Sequence, residues 1–179
     1  MKITKRFLEK KNACQLDMEF VIENKLIGLT DIEFVKQLIK KDKLQWANWL
    51  IVRCMTYKQY VSYAVYSANL VLSIYEKKYP DDKRPKEAIK AAKKCIKNPS
   101  KENKASSAAS VYYAASAADA DAASSAASSA SASAAADAAY ASAASASSAA
   151  DAAYYAASAA DVTTRIKILK YGIKLLSKK

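Results

Sequence analysis

Few side chains in this sequence are equipped for acid–base, nucleophilic or metal chemistry. Histidine is absent from its 179 residues, which removes Ser-His-Asp and Cys-His catalysis and the commonest metal ligand. Asp81 and Asp82 are the only adjacent carboxylates. A metal or acid–base site there wants a third ligand close by, and the neighbouring sequence offers none. The segment Tyr79-Pro80-Asp81-Asp82-Lys83-Arg84-Pro85 reads instead as a turn, because residues before proline avoid the α region and Asp bonds its local backbone. With glycine only at 28 and 172, no phosphate-cradling loop is available. Cys14, Cys54 and Cys95 are odd in number and far apart, which argues against a disulfide framework or a CxxC site and for a reducing cytosol. The expectation is no catalytic residue, no metal, no cofactor and no enzyme.

Charge is the next resource. The net charge of +12 divides into +11 over residues 1–104, −5 over 105–161 and +6 over 162–179. A positive surface of this size attracts nucleic acid, an anionic membrane or an acidic protein. Lys90, Lys93, Lys94 and Lys97 share one helical segment. Nucleic-acid binding through them would be driven by charge, since no helix-turn-helix, zinc-finger or RRM signature accompanies them. The N-terminus lacks the apolar core of a signal peptide, and Asp residues break the alanine-rich stretch too often for a membrane span. A cytoplasmic protein without membrane contact is expected.

The elements that position these residues read as helices throughout. Thr4 caps a short opening helix. A second helix runs from about Ala13 to Leu26 with Gly28 as its left-handed stop. Thr30 and Glu33 form a capping box ahead of a helix with the apolar face Ile32, Val35, Leu38 and Ile39, ending at Lys40 and Lys41. Asp42 caps the next, whose residues Leu44 to Met55 are apolar nearly all round and belong at the core's centre. On it Asn48 and Arg53 read as hydrogen-bonded anchors in preference to a binding site. Thr56 and Gln59 open a long helix to about Lys78, with Val61, Ala64, Val65, Ala68, Val71, Leu72 and Tyr75 on one side and Tyr60, Tyr63 and Tyr66 on a neighbouring one. Pro85 suits the first turn of a helix that stops at Asn98-Pro99, and Ser100 starts another. Val162, Ile166, Leu169, Ile173 and Leu176 form the stripe of an amphipathic C-terminal helix, which docks on the core and tolerates Gly172.

Between them, Ala105 to Ala160 holds 31 Ala and 15 Ser. Alanine has the best helix propensity and serine is only modestly worse, but one unbroken helix would be roughly 84 Å long at 1.5 Å per residue. Two or three closely packed helices, broken near Asp119 to Asp121 and Ser142 to Ser148, are expected instead. The element Ala-Ala-Asp-Ala-Ala-Tyr occurs at 135–140 and again at 149–154, an offset of two heptads that puts Tyr112, Tyr140 and Tyr154 on one face. Tyr112, Tyr113, Tyr140, Tyr154 and Tyr155, with Asp137 and Asp151, are the candidate partner-binding residues. A scaffold without chemistry is the competing reading. The fold class is all-α: a compact helical core over 1–104, closely packed Ala/Ser-rich helices over 105–161, and the amphipathic helix of 162–179.

Three stretches carry a resemblance. Asp42-x-x-x-Trp46-Ala47-Asn48-Trp49-Leu50-Ile51-x-Arg53, then Glu76-Lys77-Lys78-Tyr79-Pro80-Asp81-Asp82-Lys83-Arg84-Pro85-Lys86-x-Ala88-Ile89, then the tract with recurring Ala-Ala-Tyr and Asp-Ala-Ala, resemble the Imm-5-like family of putative immunity proteins. The resemblance covers nearly the whole chain. It marks Trp46, Asn48, Trp49, Arg53, Tyr79, Pro80, Asp81, Asp82, Arg84 and Pro85 as a structural motif. It implies a non-enzymatic inhibitor that neutralises a partner protein, either a cognate toxin or, in a phage, a host defence protein. Charge-driven binding of nucleic acid and a purely structural Ala-rich scaffold are the alternatives.

Overall fold

A computed structural model describes residues 1–107 and 162–178; the candidate tyrosines, Asp137, Asp151 and the expected helix breaks of the Ala/Ser run lie outside the described residues. The described residues are helical and contain no strand. Six helices run α1 (Lys5–Lys10), α2 (Gln15–Glu23), α3 (Asp31–Lys40), α4 (Leu44–Arg53), α5 (Tyr57–Lys78) and α6 (Arg84–Lys97). A helix α7 opens over 101–107, and α8 spans Val162–Leu176. The fold is all-α, as the sequence predicts.

Helix starts follow local chemistry. The Thr4 hydroxyl accepts from the Phe7 amide at 3.2 Å, and the Ser100 hydroxyl from the Asn103 amide at 3.2 Å. Both expected capping boxes are present: Glu33 accepts from the Thr30 amide at 2.9 Å, and Gln59 from the Thr56 amide at 2.9 Å. Each satisfies donors that a helix end leaves open.

Helix stops were less legible. Lys25, at φ +54°, takes the left-handed position after α2, and the Asn24 side chain donates to the Phe20 carbonyl at 2.8 Å. Gly28, also left-handed at φ +90°, is not the stop of α2. It sits in the following loop, where its amide donates to the Ile3 carbonyl at 2.8 Å and pins the first residues of the chain. Asp42 is a second correction. It is left-handed at φ +56° and terminates α3, leaving Lys43 at the N-cap of α4 without a side-chain cap.

The core lies where α8 packs against α3, α4 and α5, with α6 against α5 and α3 against α4. Leu50 and Ile51 of α4 and Val61 and Val71 of α5 are at most 1 % exposed, each fully buried side chain contributing about 1.5–3 kcal/mol. The buried stripe of α8 differs from the expected one. Ile168, Leu169, Gly172 and Leu176 face inward, whereas Val162 is 58 % exposed and Ile166 and Ile173 are half-buried. Gly172 explains the rotation. A Cβ there would lie 2.8 Å from Ile51 Cγ2 and 2.9 Å from Tyr63 Cε2, so the helix turns its one residue without a side chain toward the point of closest approach.

Candidate functional site

Three constellations gather the polar and aromatic residues that the sequence singles out. The first is the α5–α6 turn. Tyr75 donates from Oη to Asp82 Oδ2 at 2.6 Å. Arg84 reaches the same carboxylate with its amide at 3.0 Å and its Nε at 3.0 Å, and with Nη2 at 2.6 Å. Arg84 holds the Asp82 carboxyl well below the usual carboxylate range. Burial, reinforced by the hydrogen bond to Asp82, pushes the Tyr75 phenol up to about 12. The lone pairs of Asp82 are thus committed to closing the turn. Asp81 beside it is exposed, and Pro85 is buried in the first turn of α6.

The second lies on α4. Tyr63 is fully buried and donates to Asn48 Oδ1 at 2.8 Å; burial raises its phenol above the ordinary tyrosine value. The Arg53 guanidinium lies 4.0 Å above the Trp49 ring and donates to the Trp49 carbonyl at 3.2 Å. Trp46 meets Phe20 edge to face with centroids 5.0 Å apart, and Lys43 Nζ sits 4.9 Å from the Trp46 ring. A recess of about 30 Å³ behind these rings is walled mainly by Leu8, Met18, Phe34, Trp49 and Leu50, a packing gap with little room for a ligand.

The third is a groove of about 270 Å³ on the open side of α5. Its floor is the α5 stripe of Ser62, Tyr66 and Asn69; its walls are Lys93 and Ile96 of α6 and Tyr171 of α8. Lys93 Nζ donates to Asn69 Oδ1 at 3.0 Å. Tyr66 and Tyr171 stack at 3.9 Å between centroids and 18° between planes, and burial raises the Tyr171 phenol above its usual value. The walls carry charge. On α6, Lys90, Lys93 and Lys97 are exposed at helical spacing, and on α8 Lys167, Lys170, Lys174 and Lys178 are exposed beside Tyr171. Sequence reasoning named Tyr66 and Lys93 separately and missed Tyr171. The legible signal was the polar stripe Ser62, Tyr66, Asn69 and Ser73, which recurs every three to four residues opposite the apolar face of α5.

Among the described residues, no group of three His, Cys, Asp or Glu side chains is placed to hold a metal ion, and no helix is long and apolar enough to cross a membrane. Cys14 is exposed, Cys54 and Cys95 are buried, and none forms a disulfide.

The fold and these constellations define an all-α protein of packed helices. Residues 52–174 match the family described as Imm-5 like putative immunity protein, and the chain belongs to that family. The match takes in the α5–α6 turn, α5, α6 and α8 as far as Lys174, while Trp46, Asn48 and Trp49 lie just before it. Neither the curated proteins nor the solved structures gave a significant match.

Proposed function

We propose that this chain is a non-enzymatic binding protein of the cytoplasm that neutralises a partner protein, as the immunity partner of a toxin or as a phage-encoded inhibitor of a host defence protein. Membership of the immunity family carries this reading. Two features agree with it: the Asp82 carboxylate is spent on Tyr75 and Arg84, and a basic surface suits steered association with an acidic partner.

Expressed with an affinity tag in its natural host, the protein is expected to retain a protein partner after nuclease treatment. Co-expression with that partner is expected to restore growth or to silence a defence response. Recovery of nucleic acid alone, lost on nuclease treatment, would overturn the reading.

A further inference from the structure

We propose that the groove over α5 binds an acidic segment of the partner protein, a helix or strand whose carboxylates lie between the lysines of α6 and α8; this rests on the protein-partner reading above. The two walls carry charge of one sign. Lys90, Lys93 and Lys97 on one wall and Lys170, Lys174 and Lys178 on the other are exposed. Among the described residues they form no ion pair, whereas Lys86 is held by Glu76 at 3.0 Å and Arg84 by Asp82 at 2.6 Å. Like charges at three- and four-residue spacing repel along each helix. Lys93 lines the concavity itself and the others stand on exposed positions of the two helices that wall it, where a low-dielectric wall concentrates their field. An anionic occupant relieves the repulsion on both walls.

The floor matches a polypeptide better than a polynucleotide. Tyr66, Asn69 and Tyr171 bring hydroxyl and amide groups suited to peptide and carboxylate oxygens, while the Ser62 hydroxyl is held by the Lys58 carbonyl at 2.6 Å; tyrosine adds contact area at low entropy cost. Single-stranded nucleic acid is held by open aromatic faces on which bases stack. Here the faces of Tyr66 and Tyr171 are turned onto each other at 3.9 Å, so a base finds no free platform between them.

The test uses the full chain and a fluorescently labelled, glutamate-rich, alanine-based helical peptide as probe, with binding followed by anisotropy at low and moderate salt. The groove variant K93E/K170E/K174E is compared with K10E/K36E/K40E, an equal charge change on α1 and α3, after circular dichroism has established unchanged helicity. The groove variant is expected to bind about tenfold more weakly than wild type and the control within about twofold of it. Equal losses in the two variants would reduce the binding to overall charge and overturn the assignment. Tighter binding of a duplex DNA probe, with the same dependence on the groove lysines, would overturn it in favour of nucleic acid. The two proposals fail separately: a captured partner that binds wild type and groove variant alike refutes the groove only, and failure to capture any protein while peptide binding depends on the groove lysines refutes the neutralisation reading only.

Discussion

Gln59 donates from Nε2 to the carbonyl oxygen of Leu175 at 2.7 Å, while its Oε1 accepts from the Thr56 amide at 2.9 Å and the Thr56 hydroxyl at 3.1 Å. One side chain therefore closes the first turn of α5 and satisfies a carbonyl at the end of α8. Donors on one side and an acceptor on the other also fix which end of the amide is which.

That dual role separates two substitutions. Gln59→Glu keeps the acceptor of the capping box but removes the donor and sets a carboxylate against the Leu175 carbonyl, where the helix dipole is already negative. It is expected to cost about 1–3 kcal/mol in urea unfolding. Gln59→Ala loses the cap as well but leaves no charge at the carbonyl, and is expected to cost about 1–2 kcal/mol. A Gln59→Glu variant as stable as wild type would show that the contact with α8 contributes nothing.

Gly172→Ala tests the approach of α8 to α4 and α5. Alanine favours a helix over glycine by about 1 kcal/mol, so on propensity alone the variant gains stability. The added Cβ would fall 2.8 Å from Ile51 Cγ2 and 2.9 Å from Tyr63 Cε2, and neither a β-branched side chain nor a buried ring yields easily. Overpacking is expected to win, with a net loss of about 1–3 kcal/mol by thermal or denaturant unfolding.

The hydrogen bond from Tyr63 to Asn48 joins α5 to α4 inside the core. Tyr63→Phe leaves the ring in place and removes only the donor to Asn48 Oδ1, with an expected loss of about 1–2 kcal/mol. The wild-type difference spectrum is expected to lack the ionisation of this phenol until the protein unfolds, because burial raises its pKa.

Asp82 makes stability depend on pH in a defined direction. Its folded pKa is lowered, chiefly by Arg84, so the unfolded chain takes up that proton first and stability rises with pH through the window. The contribution is complete above an ordinary carboxylate pKa of about 4 and is lost as pH falls below it. Asp82→Asn is expected to cost about 1.5–3 kcal/mol at neutral pH and to flatten the acid limb of the unfolding profile. At the alkaline end Tyr75, raised to about 12, opposes ionisation in the fold. Its stabilisation is intact below about pH 10, the ordinary tyrosine value, and fades above it. Tyr75→Phe is expected to reduce the alkaline dependence, leaving the part due to the raised phenols of Tyr63 and Tyr171.

How far the sequence carried the fold follows from where each signal resides. Thr30 with Glu33, Thr56 with Gln59, and Pro85 act within one turn of chain, so their caps and starts were readable. Gly28 and Asp42 misled because the left-handed stops after α2 and α3 fell on Lys25 and Asp42 itself, a choice made by how the loops fold back, with Gly28 spent on the Ile3 carbonyl. The α8 stripe lies about a sixth of a turn from the one its spacing predicts. Its spacing gave a helix and an apolar side, but the register was set by Ile51 and Tyr63, more than a hundred residues away. The groove suffered most: Tyr66, Lys93 and Tyr171 sit on three helices, and nothing local brings them together.

The seam between α4 and α5 is closed by a residue made much later than its neighbours. Ile51 and Tyr63 leave the ribosome well before Gly172, and at typical synthesis rates of about 5–20 residues per second the interval is on the order of 5–20 s. Throughout that time the apolar surfaces of α4 and α5 await their third helix. Slower translation of the intervening alanine-rich stretch would lengthen the exposure of that incomplete core.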